Sequence, residues 1–135
     1  MHNNTAPKRV LIVDDDLDSC ELMVEVLGQR GYEASYEVDG PGALRAFLAQ
    51  RPDVLLLDVG LPGMDGFEVA QRIRELPSGR DVRIVVLSGY DRAKADPEGA
   101  PTPFDHYLVK PVNLDQLARV IGKAVSEDTE PMPAR

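Results

Sequence analysis

Cysteine occurs once in this chain, tryptophan not at all, and aromatic residues make up only 5% of it. A single cysteine, Cys20, excludes an internal disulfide and, within a helical pattern beside Leu22 and Met23, reads as a partly buried thiol in a reducing cytoplasm. No apolar run approaches the length that spans a bilayer. The opening MHNNTAPKR has no apolar core, so it is not a signal peptide. Concentrated positive charge is also missing. The net charge is -8 and the basic residues are scattered, which argues against nucleic acid as a direct partner. Zinc lacks suitable ligands too: besides Cys20 there are only His2, in a tail, and His106, in a late loop.

What is present fits one domain of 135 residues in which strand and helix patterns alternate five times. RVLIV (9–13) is a short apolar strand ending in acids. SCELMVEVLGQR comes next as a helix with Leu22, Met23, Val26 and Leu27 inward and Gly31 as its stop. YEASYEV alternates, turning Ala34, Tyr36 and Val38 one way. Asp39 and Pro41 open a second helix with Ala43, Leu44, Phe47 and Leu48 inward, and Pro52 closes it. DVLLLD is apolar throughout, as a strand covered on both faces must be. Asp65 with Glu68 predicts a capping box before FEVAQRIREL. VRIVVL (82–87) and YLV (107–109) give the last two strands, and Asn113 with Gln116 caps a final helix that turns Leu117, Ile121 and Ala124 inward.

The pattern predicts an α/β fold, a doubly wound five-stranded parallel sheet with helices on both faces. A folded unit at 9–125 is expected between flexible tails at 1–8 and 126–135. Between strands four and five the chain reads YDRAKADPEGAPTPFDH. Pro97, Gly99, Pro101 and Pro103 exclude a long regular helix there, so the fourth crossover helix is expected to be shortened or irregular.

Sheets of this kind place their sites at the carboxyl ends of the strands. Those ends carry Asp14 and Asp15, Asp58, Ser88 and Lys110. One such aspartate alone would read as a solvated strand-end carboxylate. A DD pair plus a lone Asp after LLL is a set of hard oxygen ligands for Mg²⁺, with Mn²⁺ as the alternative. Lys110 supplies a point charge for a phosphoryl oxygen, Pro111 fixes the turn after it, and Ser88 offers a hydroxyl with Gly89 behind it. Carboxylate, divalent metal, hydroxyl and lysine together describe phosphoryl transfer, with Asp58 as the nucleophile that forms an acyl phosphate.

At VDDD, DVGLPGMDG, LSG and LVKP, over about residues 9–125, the chain resembles the receiver domain of bacterial two-component response regulators, a flavodoxin-like fold. The spacings of 30 residues from Asp58 to Ser88 and 22 from Ser88 to Lys110 resemble the family's as well. The resemblance implies that Asp58 is the phosphoacceptor and that Asp14 and Asp15 hold Mg²⁺, Asp15 directly and Asp14 largely through water. The third protein ligand would be the backbone carbonyl of Gly60. It further implies that Ser88 and Lys110 bind the phosphoryl group and that Tyr107 is an aromatic switch whose rotamer tracks Ser88; read from the residues alone, Tyr107 is a core aromatic. The expected partners are a histidine kinase or phosphotransfer protein as donor and a downstream protein as output.

Two departures modify these expectations. Gly60 and Tyr90 stand at the positions that tune hydrolysis in the family; Gly60 brings no acid or amide to orient a water and Tyr90 is expected to shield part of the phosphoryl group, which implies a long-lived phosphoryl state and slow autodephosphorylation. The Pro/Gly-rich run at 97–103 occupies part of the face used for the family's symmetric dimer, so a monomer or weak dimer is expected. Met1 and the polar tails lean toward a standalone cytoplasmic regulator over a receiver excised from a hybrid kinase. The alternatives are a degenerate receiver acting without phosphorylation, a small Mg²⁺-dependent aspartyl phosphatase, which would need DxD where this chain has DVG, and a flavodoxin-like binding module, whose phosphate loop is replaced here by DDDLDS.

Overall fold

The computed structural model describes residues 7–89 and 103–129. Five strands, β1 (Arg9–Val13), β2 (Glu33–Glu37), β3 (Val54–Asp58), β4 (Arg83–Ser88) and β5 (His106–Val109), form one parallel sheet in the order β2-β1-β3-β4-β5. Four helices are described: α1 (Leu17–Gln29), α2 (Gly40–Gln50), α3 (Gly66–Glu75) and α4 (Leu114–Thr129), with a 3-10 turn at Pro77–Gly79. Chain order reverses at β1, so the crevice between β1 and β3 is the switch point where such sheets place ligands.

Each central strand divides its side chains between two cores. Leu11, Val13, Leu55, Leu57, Ile84 and Val86 pack against Ala43 and Phe47 of α2 and Val69, Ala70 and Ile73 of α3. Their sequence neighbours Val10, Ile12, Val54, Leu56, Val85 and Leu87 pack against Cys20, Met23 and Leu27 of α1 and Leu117, Ile121 and Ala124 of α4. The period of two along a strand makes this division, and β3, buried at every residue, needed its unbroken apolar run to serve both sides.

The predicted caps are largely present. Asp39 accepts from Gly42 N–H (2.7 Å), Asp65 from Glu68 N–H (2.9 Å) and Asn113 from Gln116 N–H (2.9 Å). The capping box at α3 is half made, because the Glu68 carboxylate accepts from Arg72 one turn later. Gly31, at φ +95°, lies just past the end of α1 as expected.

Several expectations need correction. Leu22 and Leu48 do not face inward; they are 48% and 55% exposed. The buried stripe of α1 runs through Cys20, Met23 and Leu27, which leaves Leu22 about 100° around the axis from Met23, and in α2 Ala46 takes the inward place given to Leu48. Cys20 is wholly buried, not partly. Val38 lies past the end of β2 and is half-exposed. α4 continues to Thr129, past the boundary expected at residue 125. The irregular fourth crossover and Tyr90 fall within 90–102, outside the described residues.

Candidate functional site

The structure brings the acidic residues together at the carboxyl end of the sheet. Asp14 comes directly after β1, and its N–H extends the ladder by donating to the Glu37 carbonyl at 3.1 Å. The chain then folds back, so that Asp16 N–H donates to Asp14 Oδ1 at 3.0 Å. From beneath, the buried Cys20 thiol donates to the Asp14 carbonyl at 3.2 Å. Asp14 is only 1% exposed and Asp58 6%, whereas Asp15 is exposed. One carboxylate oxygen from each of the three lies within 4.8 Å of the others.

Asp58 ends β3, and the loop from Val59 to Gly66 sets its position. Val59 N–H continues the pairing to the Leu87 carbonyl at 3.0 Å, and Gly60 N–H donates to Asp58 Oδ1 at 3.0 Å. The loop then closes tightly, with Gly66 N–H donating to the Val59 carbonyl at 3.1 Å. A Cβ at Gly66 would stand 2.4 Å from the Asp58 carbonyl oxygen and 2.6 Å from Val59 Cα, so only glycine lets α3 start against the backbone of Asp58. Sequence reasoning missed Gly66 as a residue of the site; its place at the entry to a helix beside the aspartate was the available signal. Met64 of the same loop packs over Gly40, tying the loop to the start of α2.

Lys110 crosses from the far strand. Its Nζ lies 3.3 Å from Asp14 Oδ2 and 3.2 Å from Asp58 Oδ2, bridging both buried carboxylates. Its backbone N–H donates to the Ser88 carbonyl at 2.7 Å, which sets the end of β5 beside the end of β4. The Lys110–Pro111 bond is cis. Ser88 is fully buried at the end of β4. Tyr107, in β5, packs on the α2/α3 core with its ring centroid 6.0 Å from that of Phe104. Beside the site a cleft of about 590 Å³ opens between α1 and the Lys110 turn, lined by Asp14, Asp16, Leu22, Met23, Lys110 and Pro111.

The electrostatics are unbalanced. Burial raises the pKa of Asp14, opposed by the Asp16 N–H and the Lys110 charge, while the Asp58 charge adds to the rise. For Lys110 burial is the largest single influence and disfavours its charge, but the carboxylates of Asp14 and Asp58 outweigh it and the pKa is raised. One ammonium cannot neutralise three carboxylates, and the remainder matches a divalent cation. The donors are all hard oxygens. The nearby thiol is no ligand, because burial and the adjoining aspartates push its pKa to about 12 and its proton is engaged by the Asp14 carbonyl. The residues therefore fit Mg²⁺.

The model of the response regulator receiver domain matches residues 10–122. The chain belongs to this family. A receiver is a part of a response regulator in two-component signalling, and likenesses to individual proteins agree. This receiver is 37% identical over 111 residues to the response regulator MprA of Mycolicibacterium vanbaalenii, covering 82% of this chain and 47% of that one. It is 34% identical over 112 residues to an uncharacterised 14.6 kDa protein of Leptolyngbya boryana, covering 83% and 86%. Among solved structures it resembles the response regulator TrrA of Thermotoga maritima in complex with Mg²⁺ and BeF (TM-score 0.76, 35% identity, 87% and 98% covered). It also resembles the chemotaxis regulator CheY4 of Vibrio cholerae (TM-score 0.81, 29% identity, 87% and 98% covered). The receiver thus spans about half the length of the first of these relatives and most of the others. Among its described residues no helix is long and apolar enough to cross a membrane.

Proposed function

We propose that this receiver accepts a phosphoryl group on Asp58 from the phosphohistidine of a histidine kinase or phosphotransfer protein and passes the change to a downstream protein partner. The observation that carries the reading is the Lys110 ammonium bridging Asp14 and Asp58, with Asp15 within reach of both. Asp14, Asp15 and Asp58, with the Gly60 carbonyl, would hold Mg²⁺. When bound, the ion neutralises charge on the transferring oxygens.

The chain's own residues do the rest. An Asp58 carboxylate oxygen attacks phosphorus, the P–N bond to the donor histidine breaks, and its electron pair returns to the imidazole, which takes up a proton. Gly60 N–H holds the other Asp58 oxygen, so a single oxygen is directed to the phosphorus. Lys110 neutralises a phosphoryl oxygen and Ser88 supplies its hydroxyl to another. Tyr107 responds from beside the β4–β5 edge. Gly60 brings no side chain to orient an attacking water, which supports a long-lived acyl phosphate.

Intact mass after incubation with Mg²⁺ and acetyl phosphate tests the reading. A gain of one phosphoryl group, about 80 Da, is expected for the wild type and not for Asp58→Asn or without Mg²⁺. No gain in the wild type, either with acetyl phosphate or with phosphorylated histidine kinases, would overturn it.

A further inference from the structure

At the amino end of the sheet a single arginine holds several separate pieces of chain. Arg74, in the last turn of α3, donates from Nε to the Pro103 carbonyl (2.9 Å) and from Nη1 to the carbonyls of Gly79 (2.9 Å) and Val82 (2.6 Å). Its Nη2 donates to Asp105 Oδ2 at 2.8 Å, with the two side chains 23% and 27% exposed. The same Oδ2 accepts from Ile84 N–H at 2.9 Å, while Asp105 N–H donates to the Ile84 carbonyl at 2.8 Å. Asp105 therefore closes the β4–β5 ladder just before its first strand pair, Val85 with His106.

β5 itself buries little side-chain surface to fix its register. It is an edge strand of four residues, and only Leu108 among them is fully buried. Register is well specified where a strand buries a whole face and poorly where it does not. A slip of one residue moves the chain by about 3.3 Å and turns every side chain to the opposite face. Lys110 sits one residue past β5, and its two contacts of 3.3 and 3.2 Å would not survive such a slip. Downstream the Asn113 cap starts α4, so the strand is held from both ends.

We propose that Arg74 and Asp105 form a register lock for β5 that positions Lys110 from the far end of the strand. The planar guanidinium suits this because its donors reach carbonyl and carboxylate acceptors in fixed directions, which an ammonium does not reproduce. Neither residue touches the reacting atoms, so both are positioning residues. The lock stands on the geometry; its effect on phosphoryl uptake rests on the function proposed above.

Amide hydrogen exchange compares the wild type with Arg74→Gln, Arg74→Lys and Asp105→Asn, with Phe47→Leu in α2 as a destabilised control. The Gln and Asn variants should speed exchange at 106–110 by about tenfold or more while β1 and β3 keep their protection. Arg74→Lys should fall between them and the wild type, and Phe47→Leu should not single out β5. The second measurement is the rate of phosphoryl uptake from acetyl phosphate, with and without Lys110→Ala, at a temperature where each variant is folded. Arg74→Gln should slow uptake about fivefold in the wild-type background and add no slowing when Lys110 is absent. Unchanged exchange in β5, or the same slowing in both backgrounds, overturns the proposal. If the wild type takes up no phosphoryl group, the phosphoacceptor reading fails by itself, and exchange at 106–110 decides the lock.

Discussion

Asp14, Asp15, Asp58 and Lys110 gather at the carboxyl end of the sheet; Arg74, Arg83 and Asp105 gather at the amino end. At the amino end the one carboxylate finds its cations within the protein. The Asp105 carboxylate meets Arg74 at 2.8 Å and Arg83 at 3.8 Å, and further Arg74 donors end on main-chain carbonyls. At the carboxyl end three carboxylates gather with one ammonium, which touches only the two buried ones. Buried charge is costly unless compensated, so the first cluster has the form of a fastening and the second of a socket whose last partner comes from outside. Both combine acids with nearby cations; the count of partners separates them.

Substitutions can break that contrast. The largest effect is expected from Gly66→Ala, whose Cβ has nowhere to go against Asp58 and Val59. It should cost about 2–4 kcal/mol in urea unfolding and weaken Mg²⁺ binding with it. Next, Mg²⁺ at a hundred times its dissociation constant should stabilise the wild type by about 2.7 kcal/mol, and Asp15→Asn should remove most of that gain while leaving metal-free stability nearly unchanged. Arg74→Ala should cost about 1–3 kcal/mol with the Mg²⁺-induced gain preserved, since its pair is only partly buried and lies at the other end. A loss of the Mg²⁺ gain in Arg74→Ala would show that the two clusters are not independent.

The smallest effect concerns pH. The pKa of Lys110 is raised in the folded protein, and that of Cys20 is raised to about 12. A group with a raised folded pKa binds its proton more tightly when folded, so its contribution is complete below the unfolded pKa and is lost as pH rises through the folded one. Metal-free stability should therefore decline from about pH 9 upward, as thiol and then lysine deprotonate in the unfolded chain. Cys20→Ala should flatten the first part of that decline and Lys110→Met the later part. Equal slopes in all three proteins would contradict the assignment.

The carboxyl-end cluster was legible in the sequence because each of its residues ends an apolar strand run, and parallel strands bring such ends together. Asp14, Asp15, Asp58, Ser88 and Lys110 could be placed there from hydrophobic pattern alone. Their roles depended on the resemblance, since periodicity does not separate a phosphoacceptor from a metal ligand. The amino-end cluster was not legible. Arg74 and Asp105 are 31 residues apart, and nothing local distinguishes Arg74 from the exposed Arg72 two positions earlier. Leu22 and Leu48 misled for a different reason: each adjoins a buried residue, Met23 or Phe47, but stands about 100° around the helix from it on the solvent side. Gly66 was visible only as a glycine at a helix entry; that its Cβ position is already taken required the distance to a neighbouring backbone.

Helix α3 reaches both clusters, with Gly66 against the Asp58 backbone at its start and Arg74 on Asp105 in its last turn. Its ten residues span about 15 Å, so the helix works as a gauge between the ends of the sheet. Inserting one residue between Gly66 and Arg74 would carry the guanidinium about 100° around the axis and away from Asp105. Substitution on its outer side, at Glu68, Gln71 or Glu75, leaves that spacing untouched. The number of residues in α3 is therefore under tighter physical constraint than most of the residues themselves.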